Sequence, residues 1–431
     1  MKLWQAGEAN VDALIERFTI GRDAELDLEL ARYDVIGSQA HAQMLHEVGL
    51  LKQDELQALL NGLKDVARSI EEGGFRLEPG VEDVHSQVEK LLTERLGEPG
   101  KKLHTARSRN DQVLLDLRLY FRAQFDDLAD RLARLVRAFA ERSEGAQALA
   151  MPGFTHMQVG MVSSFGMWLG CYAEALADDR RQVLHTRALI NQNPLGSAAG
   201  YGSAFAIDRD RTTELLGFEG LCVNSMYAQF GRGKTELLVS QSLASTAYTL
   251  GKFAYDVCLF SNQNYALVRL PDSVTTGSSI MPHKKNPDVF ELMRARCNQL
   301  ASLPTQVTMV IQNLPSGYHR DFQQLKEIVF PAFAVLRDVL AVLEHVLPQM
   351  VFAADALADE RYDALYSVDN MASLVQAGLP LRDAYHQVKQ ELADGSFKPA
   401  RDLRHTHIGS LGDLGTKRIL AKLDEDSPHQ K

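Results

Sequence analysis

Two segments of this 431-residue chain, residues 165–176 and 237–260, are apolar on almost every side and carry few charges. A helix of this kind has no polar face to present to water, so it must be buried among other helices or between subunits. The two segments therefore predict a chain built around buried helices, and they limit it to folds with a large helical core.

Amphipathic helices are predicted around this core. Between residues 119 and 141 apolar residues recur every three or four positions, and the same spacing runs through residues 333–346. Alternating strand patterns bounded by turn residues are scarce. The expected fold class is all-α.

The helical periodicity is interrupted at residues 97–102 and 347–358. These breaks predict an N-terminal helical domain over residues 1–103, a long central bundle over 104–350 and a small C-terminal helical domain over 351–431. No internal repeat or low-complexity tract is present.

Composition limits the function. The chain is 45% hydrophobic and 24% charged, with a net charge of -10 and a pI near 5.7. This balance argues against nucleic acid or an anionic membrane as a partner, since both require a basic face. The N-terminus lacks a signal peptide pattern and no apolar stretch is long enough to span a bilayer, so the cytoplasm is expected.

The four cysteines are widely spaced and suggest buried free thiols in a reducing compartment. His405 and His407 lack neighbouring Cys or carboxylate partners, so neither a metal nor any other cofactor is expected.

The most informative motif is GSSIMPHKKNPD, residues 277–288. Asn286 is a suitable N-cap for a helix with Pro287 at its first position, and the positive end of that helix would face the loop. Lys284 and Lys285 add full charges, so a serine here lies in a field that favours its deprotonation. Taken alone, the motif could still be a solvated basic turn.

The loop resembles the signature of the fumarase/aspartase superfamily, Gly-Ser-Ser-x-Met-Pro-x-Lys-x-Asn-Pro, at every fixed position. Members of this superfamily eliminate fumarate from substituted succinates. The resemblance implies that Ser278 is the catalytic base and that Lys284 and Asn286 bind substrate. It also implies the superfamily's three-domain fold, with the central helices of four subunits packed into one core.

A second motif, HTARSRNDQV, spans residues 104–113. Ser108 or Asn110 could cap the following helix, whereas the planar fork of Arg109 is suited to a carboxylate. The segment resembles the argininosuccinate lyase family motif, with Ala106 in place of a glycine. The resemblance implies that Ser108, Arg109 and Asn110 bind the succinate portion of the substrate.

A third motif, GFTHMQ, spans residues 153–158. A lone histidine after a Pro-Gly turn is more often structural than catalytic. The resemblance nevertheless implies that Thr155 binds substrate and that His156 handles protons at the leaving nitrogen. It also implies that Glu291 orients His156.

The fourth motif, YHRDFQQLK at residues 318–326, bears on the leaving group. It resembles the element of argininosuccinate lyases that holds the amino-acid end of the substrate, which implies binding by Tyr318, Gln323 and Lys326. Leu325 stands where the family usually has an acidic residue. A polar loop without a binding role is the alternative.

Together these resemblances imply reversible cleavage of argininosuccinate, the small-molecule substrate, to arginine and fumarate. They imply a homotetramer whose active sites are shared between subunits. The alternatives are another fumarate-releasing lyase, acting on adenylosuccinate or malate, and a non-catalytic crystallin-like protein. Asp23 replaces a serine often seen in the family, and no role is evident for Glu82, Asp83 and His85.

Overall fold

The computed structural model describes residues 13–403 and 405–425. Its α-helices, numbered in chain order, are α1 (Ala13–Ile20), α2 (Asp23–Asp27), α3 (Ala31–Glu47), α4 (Gln53–Glu71), α5 (Val84–Leu96), α6 (Glu98–Lys102), α7 (Arg109–Gly145), α8 (Phe165–Ile190), α9 (Arg209–Leu215), α10 (Ser225–Phe260), α11 (Asp288–Leu300), α12 (Leu303–Ile311), α13 (Gln324–Val346), α14 (Ser367–Gln376), α15 (Leu381–Asp394) and α16 (Thr416–Glu425). Short 3₁₀ helices lie at Leu28–Leu30, Asp272–Val274, Arg320–Gln323, Leu347–Gln349 and Glu360–Tyr366.

Strands are few. The main pair is an antiparallel hairpin of β1 (Ala150–Thr155) and β2 (Gln158–Ser164). The others, β3 (Gln192–Asn193), β4 (Gly220–Leu221), β5 (Val268–Arg269) and β6 (Val351–Phe352), form two-residue pairs, β3 with β4 and β5 with β6. The predicted all-α class is confirmed, although the hairpin was not foreseen.

All four predicted helical segments are confirmed, and the structure extends them. The segments at 119–141, 165–176, 237–260 and 333–346 lie within α7, α8, α10 and α13. The predicted segments were shorter than the helices because the last turns of several helices are polar, so the spacing of apolar residues does not reveal them.

The chain divides into two compact units. Unit 1 comprises residues 1–128, 182–244 and 300–335; unit 2 comprises residues 129–181, 245–299 and 336–431. The proposed boundaries near residues 103 and 350 stay a prediction.

Each unit has its own aromatic core. In unit 1, Tyr120 stacks on Phe330 at a centroid distance of 4.3 Å and meets Phe333 edge to face. In unit 2, Phe253 packs edge to face on Phe139 and stacks on Trp168. Each such pair stabilises the fold by about 1 kcal/mol beyond the contribution of the apolar area that it buries. The pairs therefore hold the helices of each unit in place.

Two of the four cysteines, Cys222 and Cys297, are buried as predicted, but Cys171 is exposed and Cys258 is partly so. None of the helices in the described residues is long and apolar enough to cross a membrane. The first ten residues, where no signal peptide was predicted, lie outside the described residues.

Candidate active site

A polar cavity of about 580 Å³ lies in unit 1. Its wall includes all of the predicted binding residues that belong to this unit, which are Ser108, Arg109, Asn110, Tyr318, Gln323 and Lys326. The second and fourth motifs, more than 200 residues apart in the sequence, therefore meet at one cavity.

The second motif is fixed by the start of α7. The Oγ atom of Ser108 accepts a hydrogen bond from the Asn110 amide, and Asp111 Oδ1 accepts one from the Ser108 amide at 2.8 Å. This reciprocal cap confirms Ser108 as the N-cap residue and stabilises the helix start by about 1 kcal/mol. It places Arg109 at the first helical position, facing the cavity.

The loop before this helix contains a residue under strain. Ala106, which replaces the family's glycine, has a φ of 65°. The backbone on either side is held by buried groups, since His41 Nε2 lies 2.8 Å from Thr105 O and Arg107 donates to Ser38 Oγ. Left-handed geometry costs an alanine about 1 kcal/mol, which these bonds offset.

Glu82 and Asp83, for which the sequence suggested no role, hold Arg109 in place. Arg109 Nη1 donates to Glu82 Oε2 at 3.2 Å, and Nη2 donates to Asp83 Oδ2. Asp83 is also the N-cap of α5, accepting from the Ser86 amide at 2.9 Å. The guanidinium is therefore oriented by carboxylates on a rigid helix start.

His85 anchors that helix start. Its Nδ1 donates to Asp34 Oδ1 at 2.8 Å and lies 3.5 Å from Asp116 Oδ2, and all three side chains are buried. Burial acts to lower the pKa of His85, but the hydrogen bond and charge of Asp34, with the charges of Asp83 and Asp116, raise it to about 10. Burial and the charge of Asp34 raise the pKa of Asp116.

Asp34, His85 and Asp116 are close enough together to be considered as a metal site. The atoms that could bind a metal lie within 4.8 Å of one another. A metal would require the neutral imidazole ring, whereas the raised pKa of His85 and its contact with Asp34 favour the protonated ring. The arrangement is therefore a buried imidazolium between carboxylates, joining α3, α5 and α7.

Replacing His85 by asparagine is expected to lower the free energy of unfolding by about 3 kcal/mol at neutral pH, because two buried carboxylates lose their cation. The pKa of His85 rises from 6.5 to about 10 on folding, so this stabilisation is complete below pH 6.5 and is lost as the pH rises through 10. Denaturant unfolding of the wild-type protein and of His85→Asn at pH 6.5, 8 and 10 should therefore give a difference in the free energy of unfolding that shrinks as the pH rises. His46→Asn is the control, since His46 is partly exposed and its Nδ1 lies 3.0 Å from the backbone oxygen of Leu51. A pH-independent difference for His85→Asn would contradict the assignment.

In the fourth motif, Lys326 and Gln323 make polar contacts with other residues of the same chain. Lys326 is buried and contacts Asp23 Oδ1 at 2.6 Å and Asp27 Oδ1 at 2.8 Å. Gln323 Nε2 donates to the carbonyls of Thr19 and Ile20. Tyr318 remains partly exposed at the cavity.

Asp23, the least expected family departure, is explained by this arrangement. Burial raises the pKa of its carboxyl group, while Lys326 opposes that rise. Leu325 is buried, so an acidic residue there would be desolvated.

Sequence reasoning missed Arg232, another residue of the cavity wall. Helix α10 departs from helical geometry at Arg232 and Gly233, and Gly233 has a φ of 82°. A Cβ at Gly233 would lie 2.7 Å from Ile311 Cγ2, so only glycine fits. The sequence Gly-Arg-Gly inside an apolar helix was the signal for this kink.

The remaining predicted residues, Thr155, His156, Ser278, Lys284, Asn286 and Glu291, lie in unit 2. Ser278 is partly buried, and its Oγ accepts bonds from the amides of Ile280 at 3.4 Å and Met281 at 3.1 Å. These N–H groups stabilise negative charge on the oxygen. Lys284 is exposed, whereas Lys285 forms an ion pair with Asp272.

The predicted helix cap was misplaced by one residue. Helix α11 begins at Asp288, and the Glu291 amide donates to Pro287 O, so Pro287 occupies the N-cap position. Asn286 instead pairs with Thr276 through both backbone groups, at 2.8 and 3.3 Å. This bridge closes the signature loop and explains why Asn286 does not begin the helix.

His156 lies at the tip of the β1–β2 hairpin, exposed to solvent. Thr155 pairs with Gln158, and the two turn residues, His156 and Met157, have φ values of 53° and 61°. Within the described residues of the single chain, no hydrogen bond or ion pair joins His156 to Glu291. The orienting role implied for Glu291 stays a prediction.

A turn of this type favours asparagine and glycine, so His-Met is strained. Met157→Gly should raise the free energy of unfolding by about 1 kcal/mol, since glycine adopts positive φ without strain. The same change at Met161, an exposed methionine within β2, should instead lower it by about 0.5–1 kcal/mol. Thermal and denaturant unfolding would measure both; destabilisation by Met157→Gly would show that the turn is unstrained.

The chain is similar in sequence to known lyases. A family model described as Lyase matches residues 7–301. The argininosuccinate lyase of Bacteroides fragilis is 51% identical over 421 residues, covering 97% of this chain and 94% of that protein. That of Stenotrophomonas maltophilia is 41% identical over 383 residues, covering 89% of each.

Solved structures share the fold. A crystal structure of EDDS lyase in complex with formate aligns with a TM-score of 0.77 at 22% identity, covering 97% of this chain and 91% of that one. Class II fumarase from Schistosoma mansoni aligns with a TM-score of 0.74 at 16% identity, covering 98% of each. The helical fold and the signature loop thus define a lyase of the fumarase/aspartase superfamily. Given the identity over nearly its full length, the chain belongs to the argininosuccinate lyase family.

Proposed function

We propose that the protein catalyses the reversible elimination of argininosuccinate to arginine and fumarate, a step of arginine biosynthesis. The observation that carries this proposal is the identity of 41–51% to argininosuccinate lyases over most of the chain. The charged cavity of unit 1 supports it, since it is lined by guanidinium and carboxylate groups suited to a zwitterionic substrate.

In the proposed mechanism Ser278 removes a proton from the carbon next to a substrate carboxylate. That carbon is barely acidic, so the resulting dianion requires preorganised positive charge and hydrogen-bond donors. Lys284 supplies the charge, and the side-chain amide of Asn286 and the loop N–H groups supply the donors. The electron pair then forms the carbon–carbon double bond of fumarate and expels the guanidinium nitrogen, which gains a proton with the help of His156 and Glu291.

Substrate binding is assigned to Ser108, Arg109, Asn110 and Thr155 at the succinate end. Tyr318, Gln323 and Lys326 are assigned to the amino-acid end. The internal bonds of Gln323 and Lys326 give these two residues a fixed position, and Asp23 and Asp27 offset the charge of Lys326. A carboxylate bound there must therefore bring its own ammonium group.

We further propose a cytoplasmic homotetramer with active sites shared between subunits and a chain organised as residues 1–103, 104–350 and 351–431. Large exposed apolar side chains support the assembly, including Tyr248 and Tyr255 on α10. Sedimentation of the purified protein would test it.

The first test of the reaction is fumarate release, followed by ultraviolet absorbance, with argininosuccinate and adenylosuccinate supplied separately. Release from argininosuccinate alone is expected. Release from adenylosuccinate alone would retain the elimination chemistry but overturn the assigned leaving group. No release from either substrate by folded protein would overturn the enzymatic proposal.

A further inference from the structure

Glu82 joins two arginines from distant parts of the chain. Its Oε2 accepts from Arg109 Nη1 and its Oε1 accepts from Arg320 Nη1, both at 3.2 Å. Arg320 lies 238 residues from Glu82 in the sequence, and both arginines line the cavity of unit 1. One carboxylate therefore offsets the repulsion between two guanidinium groups and fixes their separation.

Both guanidinium groups keep donors for a ligand. Each has five N–H donors. Arg109 uses two in the bonds to Glu82 and Asp83, and Arg320 uses two in the bonds to Glu82 and the Thr19 carbonyl. The planar forks can thus bind an anion while Glu82 holds them.

The other cations of the cavity wall are less available to an anion. Lys326 is buried between two aspartates, and Arg232 is buried with Glu236 at 3.1 Å. Arg107 donates to Ser38. In contrast, the side chain of Arg320 is 51% exposed and that of Arg109 is 32% exposed.

We propose that Arg109 and Arg320 bind one substrate carboxylate as a pair, with Glu82 as the positioning residue that sets their geometry. Arg320 is thereby a further binding residue, beyond the three assigned in the fourth motif. The inference rests on the proposed function for the identity of the substrate, but it requires only a carboxylate ligand.

The test uses Arg320→Gln, because a glutamine amide can still donate to Thr19, and Glu82→Gln, which keeps the shape of the side chain. Arg320→Gln should raise the KM for argininosuccinate about 10–100-fold and change kcat by less than about threefold, since one charge-assisted interaction is lost. Glu82→Gln should raise KM about 3–10-fold through misplacement of the same pair. Arg320→Lys, which keeps the charge but loses the fork, should be intermediate.

The double variant separates positioning from a general structural effect. Once Arg320 is removed, Glu82→Gln should add less than its own single effect on KM, because the pair it sets no longer exists. Additive effects would overturn the role of Glu82. An unchanged KM in folded Arg320→Gln protein would overturn the role of Arg320.

Matched controls are Arg68→Gln and Glu78→Gln, which break exposed ion pairs with Asp65 and Lys90 outside the cavity; neither should change KM. Calorimetric titration with succinate measures carboxylate binding without turnover. Weaker succinate binding by Arg320→Gln would support the inference even if the wild-type protein released no fumarate from argininosuccinate, so the two proposals fail separately.

Discussion

Replacing Ser278 by alanine is expected to reduce fumarate release about 10³-fold, as removal of a general base does. The Oγ atom accepts amide bonds from Ile280 and Met281, which help it to carry negative charge. Both amides belong to an exposed loop, so loss of the hydroxyl leaves no buried group unpaired. The variant should therefore fold and assemble normally, and its affinity for succinate should change little.

Ser279→Ala is the matched control, because Ser279 is the neighbouring hydroxyl of the same loop and is exposed. Steady-state turnover and calorimetric succinate binding on both variants would separate chemistry from binding. More than a tenth of wild-type turnover in Ser278→Ala would remove Ser278 from the role of base. Loss of activity in Ser279→Ala alone would move that role to the second serine.

The helices and the motifs were predictable because both are local. Apolar spacing in residues 119–141 and 333–346 fixes a helical face within a few turns, and α7 and α13 contain these segments. The cap formed by Ser108 and Asp111 depends on residues only three apart. Interactions between residues so close in sequence can be predicted without knowledge of the rest of the fold.

The charge arrangement of the cavity was not predictable for the opposite reason. Lys326 meets Asp27 across 299 residues of sequence, and Arg320 meets Glu82 across 238. Nothing near Lys326 in the sequence indicates that two aspartates offset its charge. Asp23 was therefore difficult to explain as a neighbour of a dicarboxylate, whereas the structure makes it a partner of a buried lysine.

The hairpin that carries His156 was missed because its turn breaks the usual sequence preference. Asn-Gly or Asp-Gly would have indicated a two-residue turn, but His156 and Met157 occupy it with positive φ values. The turn places His156, the residue proposed to help transfer a proton, at the exposed tip of the hairpin. Functional sites are where local preferences are most often broken, so this departure agrees with the role proposed for His156.

Mixing Ser278→Ala with His156→Asn is expected to restore activity from two inactive proteins. His156 is exposed at the hairpin tip, and within the described residues of one chain no hydrogen bond or ion pair connects it to Glu291 or to Ser278. Exposed apolar side chains beside it, Met157 and Val159, suggest that another subunit covers this region. If a site takes Ser278 from one subunit and His156 from another, random mixing leaves about one quarter of the sites intact.

The experiment requires denaturation and refolding of the equimolar mixture, with subunit exchange verified by differently tagged chains. Ser278→Ala mixed with Lys284→Met is the matched control. Each chain then carries one change in the signature loop, so no site in the mixture receives an intact loop. Recovery in the first mixture and none in the second requires a site composed of different subunits. Inactivity of both mixtures despite proven exchange would place Ser278 and His156 of each active site on the same chain, and the exposed hairpin would then have to reach Ser278 within its own subunit.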